Sequence, residues 1–201
     1  MPVTTDREYR AMALPLATVM SGRAKRFETD QYVEGYAAKF DTPYVIWEYD
    51  GIQYKEVIDR NALEEADLSD VIMQYDHAGK VLARLSNKTL GIEADSIGLF
   101  VFADLSKSRA ATDMHEEISA GLVNKMSWAF RVLEDSYNKE TRTRTILKIK
   151  KVYDVSAVSR PANSDTEIAA RSWLDGVIEA EGREALARQR QLLILKINLE
   201  V

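Results

Sequence analysis

The sequence contains no cysteine, two histidines, four prolines and nine glycines in 201 residues. Without cysteine there is no disulfide scaffold, no thiol nucleophile and no cysteine zinc site. Two histidines argue against a multi-histidine metal centre. The net charge of −5 argues against a nucleic-acid binder, whose affinity usually rests on a basic surface. Hydrophobic residues make up 46% of the chain, enough to bury a core and to exclude wholesale disorder.

Long hydrophobic runs are also missing. Ala11 to Met20 is too short to span a bilayer, and so is Leu192-Leu193-Ile194-Leu195. Asp6 and Glu8 precede the first stretch, where a signal peptide carries net positive charge. The expectation is an extended arm or first strand in a protein that stays in the cytoplasm, with no membrane partner.

Alternation and turn chemistry predict a β-rich body. Tyr32–Phe40 reads as a strand ended by Asp41-Thr42-Pro43, and Tyr44–Trp47 and Ile52–Ile58 flank the hairpin signal Asp50-Gly51. Asn61–Ala66 reads as a short helix. Val71–Tyr75, Val81–Leu85, Leu90–Ala94 and Leu99–Ala103 read as strands. Ser108–Ala120 reads as a helix stopped by Gly121. Lys125–Leu133 and Arg142–Val158 read as strands about a turn at Asp135–Asn138, and Pro161-Ala162-Asn163 closes the second. From Thr166, Ala, Glu, Arg, Gln and Leu at helical spacing predict a helical tail, weakened at Gly176 and Gly182.

Residues 139–151 carry Lys139, Arg142, Arg144, Lys148, Lys150 and Lys151 against Glu140 alone. Such a stripe can grip phosphates or an acidic protein. The plainer reading is a solvated face that discourages edge-to-edge aggregation. No RNA-binding aromatic signature accompanies it.

In the strand Lys125–Leu133, period 2 puts Met126, Trp128, Phe130 and Val132 on one face. Ser127, Ala129 and Arg131 take the other. A serine there is ordinarily a solvent-facing residue; as a nucleophile it needs a base and an orienting group. The histidines are His115, in the charged helix Asp113–Glu117, and His77, at a strand-to-loop corner of the kind that rims clefts. Asp154 is a carboxylate inside the β-former run Lys151–Val158. Its burial needs a partner, either a histidine or a nearby lysine.

These stretches together resemble the tailed-phage prohead (capsid maturation) serine proteases, a family related to the herpesvirus assemblin fold. The resemblance runs through Gly35-Tyr36-Ala37-Ala38-Lys39-Phe40-Asp41 and Val57–Leu63, where Asn61 and Leu63 replace the usual Gly and Phe. It continues in Met73–His77 with Leu82-Ala83-Arg84, in Met126-Ser127-Trp128-Ala129-Phe130, and in Asp154-Val155-Ser156-Ala157-Val158-Ser159-Arg160-Pro161-Ala162-Asn163. It covers roughly residues 30–165. It implies Ser127 as nucleophile, His77 as general base and Asp154 as third member, where the family more often shows Glu. It implies an α+β fold with a mainly antiparallel, β-barrel-like core, flanking helices and a C-terminal helical tail.

The domain plan is then an N-terminal arm (1–30), a protease domain (31–165) and a C-terminal helical extension (166–201). The implied function is a serine endopeptidase without a cofactor that cleaves scaffolding protein, a major-capsid-protein segment and itself inside an assembling procapsid in the host cytoplasm. Self-association is also implied. The alternative is a catalytically inactive capsid- or scaffold-binding module of the same fold.

One spacing conflicts with the implied triad. A plain hairpin about Tyr137-Asn138 puts Ser127 opposite residue 148 or 149, leaving Asp154 about 17–20 Å away at ~3.3 Å per residue. A bulge or asymmetric loop shifts the register, the strands are not simple partners, or another carboxylate serves. Arg131, on the Ser127 face four residues on, is a candidate aid to an oxyanion hole otherwise built from backbone N–H groups.

Overall fold

Short alternating segments punctuated by turn residues form a mostly β structure, a curled half-barrel sheet with few helices. The computed structural model describes residues 7–18, 24–159, 176, 177, 179, 182–184 and 186–191. The strands are β1 (Glu8–Ala17), β2 (Tyr32–Lys39), β3 (Tyr44–Tyr49), β4 (Ile52–Ile58), β5 (Ile72–Tyr75), β6 (Ala78–Arg84), β7 (Leu90–Ala94), β8 (Gly98–Asp104), β9 (Lys125–Asn138) and β10 (Thr143–Val158); helix α1 spans Arg109–Ser119. The main sheet runs β3-β4-β10-β9-β1-β2-β8-β7, and β5, with β6 beside it, pairs with β10. Most pairings are antiparallel, but β10 lies parallel to both β4 and β5.

Strand β1 sits inside the sheet, between β9 and β2. Gly35 permits this close approach, since a Cβ there would lie 2.7 Å from the Pro15 carbonyl oxygen. The core gathers Trp128, Phe130, Met126, Val155, Ala157, Met73 and Leu99. Helix α1 begins at Ser108, whose Oγ accepts from the Ala111 N–H at 3.2 Å, and Gly121 follows its end at φ 75°. Its buried stripe is Ala111, Met114 and Ile118, the spacing of one helix face. The described residues between 176 and 191 are helical, and Val177 packs on Tyr54.

Two expected elements are corrected. Residues 60–65, which overlap the predicted short helix Asn61–Ala66, form a chain of turns instead. Asp59 Oδ1 accepts from the Asn61 N–H at 2.8 Å, and the bonds Ala62→Asp59, Glu64→Asn61 and Ala66→Leu63 all have i→i+3 spacing. So short a segment cannot repay helix nucleation, and the aspartate offers the backbone a competing partner. The predicted turn at Asp135–Asn138 is strand, because β9 continues through it. The reversal lies at 139–142, where Asn138 Oδ1 accepts from the N–H groups of Glu140 and Thr141 and Arg142 takes φ 50°. Pro161-Ala162-Asn163 and the start of the tail at Thr166 lie outside the described residues.

Candidate active site

The later turn and several bulges decide which residues meet. Ser127 on β9 faces Ser156 on β10 and Ala11 on β1. Along β10 the register shifts repeatedly, finally between Val152 and Asp154. Val152 pairs with Phe130, on the core face. In an unbroken ladder Asp154 would share that face, opposite Trp128. The extra residue places it opposite Ala129, on the face that carries Ser127. This removes the spacing conflict: the register shift is real, and β9 and β10 are direct partners.

His77 arrives from the other side of β10. Strand β5 runs parallel to β10, with Gln74 beside Ser156, and the Asp76 N–H donates to the Ala157 carbonyl at 3.1 Å. Asp76 and His77 form the two-residue turn between β5 and β6, at φ 45° and 58°. Two left-handed residues are the pattern of a type I′ hairpin, which glycine and asparagine take more readily than histidine. The backbone strain at His77 is of the kind that persists where surrounding contacts hold it.

Three adjacent strands thus bring Ser127, His77 and Asp154 together. His77 Nε2 lies 2.6 Å from Ser127 Oγ, and His77 Nδ1 lies 2.5 Å from Asp154 Oδ1. With Nδ1–H donating to the carboxylate, Nε2 is left as acceptor for the serine proton. The side chains of His77 and Asp154 are 7% and 2% exposed. Ser127 is also buried, so the face opposite the aromatic stripe is not a solvent face here. The Arg10 carbonyl, 3.0 Å from Ser127 Oγ, is a second acceptor for the hydroxyl proton. Tyr9 packs edge-on against the imidazole, with ring centroids 4.8 Å apart.

Ser156, quoted in the motif but given no role by the sequence, touches two members of the group. Its hydroxyl donates to Asp154 Oδ1 at 2.9 Å and accepts from the His77 backbone N–H at 3.2 Å.

Beneath the site lies a buried ion cluster that the sequence did not disclose. Arg10 Nε bonds Glu56 Oε1 at 2.6 Å, and Arg10 Nη2 bonds Glu8 Oε2 at 2.6 Å. Arg144 reaches Glu8 at 2.7 Å, Glu56 at 3.1 Å and Asp135 at 2.5 Å. Tyr44 OH donates to Glu56. Burial alone lowers the pKa of Arg10, but Glu56 and Glu8 outweigh it and hold the guanidinium firmly charged. Burial, then the Glu56 carboxylate, keeps Tyr44 protonated. The available signal was Glu8 and Arg10 two apart on one strand face, opposite in sign.

Other sequence candidates fall elsewhere. His115 sits half-buried on α1, with its pKa lowered by burial. The Arg131 side chain makes no hydrogen bond or ion pair among the described residues. Arg144 of the basic stretch is consumed by the ion cluster. Lys139, Lys148 and Lys151 pair with Glu184, Glu65 and Asp67 at 2.5, 3.5 and 2.6 Å, which leaves little of a free basic stripe. Among the described residues no group of three or more His, Cys, Asp or Glu side chains is placed to hold a metal ion, and no helix is long and apolar enough to cross a membrane.

A hydroxyl, an imidazole and a carboxylate in series are the arrangement through which serine hydrolases form acyl-enzymes. The family model described as caudovirus prohead serine protease matches residues 20–176, a span that takes in all three side chains. The chain belongs to that family and is a serine endopeptidase that acts on capsid-related proteins within the assembling procapsid. No curated protein and no solved structure matches the chain.

Proposed function

We propose that Ser127, His77 and Asp154 are the catalytic triad of this prohead protease. The supporting observation is the unbroken series of short contacts, 2.6 Å from Ser127 Oγ to His77 Nε2 and 2.5 Å from His77 Nδ1 to Asp154 Oδ1. Ser127 Oγ attacks the scissile carbonyl carbon while His77 Nε2 takes the hydroxyl proton. Asp154 holds the imidazole in its Nδ1–H tautomer and stabilises the imidazolium. Backbone N–H groups steady the oxyanion. His77 then gives its proton to the leaving amine, the C–N bond breaks, and water activated by His77 releases the acyl group from Ser127.

The substrates in this reading are scaffolding protein, a segment of the major capsid protein and the protease's own chain, met inside the procapsid in the host cytoplasm, where copies of the protease self-associate. Residues 166–201 serve as an appendage to the protease domain. An assemblin-like fold belongs to the same reading and rests on the motif resemblance. Co-expression with scaffolding and capsid proteins tests it. Wild type processes them and Ser127→Ala does not. Equal processing by both would sink the triad, and processing by neither would favour an inactive binding module.

A further inference from the structure

Ser156 stands in the second rank of the site, and nothing in the proposed reaction steps uses it. It is fully buried, on the strand face that carries Asp154, two residues away. A buried hydroxyl needs partners, and a strand core next to Val155 and Ala157 offers no reason for a polar side chain as packing. The partners it has are informative. It donates to Asp154 Oδ1 at 2.9 Å, the same oxygen that His77 Nδ1 approaches at 2.5 Å. It accepts from the backbone N–H of His77 at 3.2 Å. One hydroxyl therefore ties the carboxylate's rotamer to the backbone of the histidine it orients.

This coupling matters because His77 is not held by regular structure. It occupies a left-handed turn position at φ 58°, at the tip of the β5–β6 hairpin. Small displacements of a base are costly to proton transfer. The Ser156 contact anchors the tip where the imidazole must sit. The ladder with β10 ends just before His77: Asp76 N–H bonds the Ala157 carbonyl, and Tyr75 pairs with Ala157.

We infer that Ser156 is a positioning residue of the active site, aligning Asp154 and the His77 backbone so that the imidazole meets Ser127. The inference rests on the triad reading. It acts through Asp154 and His77 and makes no contact with the reacting carbonyl.

The test is the rate at which a fluorophosphonate probe labels Ser127 in the full chain, measured for wild type, Ser156→Ala, Asp154→Asn and the double variant, with a thermal melt for each. Ser156→Ala slows labelling about tenfold or more, as expected for loss of a hydrogen bond to a charged group. In the Asp154→Asn background the same change costs clearly less than in the wild type, because the route through the carboxylate is already cut and only the contact with the His77 N–H remains. A wild-type rate for Ser156→Ala overturns the inference, and so does an equal slowing in both backgrounds. Labelled wild type beside an unaffected Ser156→Ala removes the inference and leaves the triad. Unlabelled wild type removes both.

Discussion

Asp154 lies opposite Ala129 rather than Trp128, because β10 carries an extra residue between Val152 and Asp154. That irregularity turns a carboxylate from the apolar core toward Ser127. Deleting Tyr153, the residue in the bulge, restores a regular ladder that still sets Asp154 opposite Ala129, on the Ser127 face. Probe labelling of Ser127 should then survive, within about tenfold of the wild-type rate, whereas Asp154→Ala should slow it at least ~100-fold. Labelling lost on deletion of Tyr153, with an intact β spectrum by circular dichroism, would contradict the view that the face taken by Asp154 is what matters.

The third member can be lengthened as well as moved. At 2.5 Å from His77 Nδ1, Asp154 leaves no slack for a further methylene. Asp154→Glu should keep the acceptor but displace the imidazole, slowing labelling about tenfold, whereas Asp154→Asn should slow it far more, by on the order of 10³ or above. Comparing the two rates at one pH checks this order.

Stability should depend heavily on the ion cluster under β1. Glu56 is fully buried and serves both Arg10 and Arg144. Glu56→Ala leaves two buried guanidinium groups short of a counter-charge and should cost about 3–5 kcal/mol in urea unfolding. The loss should also loosen β1, whose Arg10 carbonyl sits beside Ser127.

One acid-sensitive contribution can be assigned. Burial would raise the Asp104 pKa, but its bonds to Ser106 and Lys107 lower it to about 2. A depressed carboxylate stabilises the fold above its unfolded value near ~3.9 and loses that contribution as pH falls toward its folded value. Asp104→Asn should therefore flatten the pH dependence of the melting temperature between about pH 4 and pH 2, and leave the neutral-pH slope unchanged.

The tail helix offers a further check. Val177 is buried against Tyr54, beside Trp47 and Tyr137, and Glu184 pairs with Lys139 at 2.5 Å. Val177→Asp should lift the helix off and shift tryptophan emission to the red as Trp47 meets water. Labelling of Ser127, on another part of the sheet, should stay at the wild-type rate.

Much of this site was legible from residue order. Ser127 stood off the aromatic stripe, and His77 was one of two histidines and the one at a strand corner. The distance to Asp154 was not legible, for two reasons. The hairpin reverses where the Asn138 side chain captures two backbone N–H groups, so a polar run that looked like a turn continues as strand. The bulges in β10 carry no alternation signal of their own; they are set by pairing with distant strands. Glu8, Arg10, Glu56 and Arg144 were hidden because charged residues are ordinarily solvated, and their mutual neutralisation needs three strands far apart in sequence. Asn61–Ala66 misled for the opposite reason, since local composition favoured helix while Asp59 held the backbone in turns.

The central claim is that Ser127 is a nucleophile activated by His77. Mass-spectrometric mapping of a fluorophosphonate adduct on wild type and His77→Ala tests it most directly. The account predicts an adduct on Ser127 in the wild type that disappears in His77→Ala. An adduct elsewhere, none at all, or equal labelling of Ser127 in both proteins would contradict it.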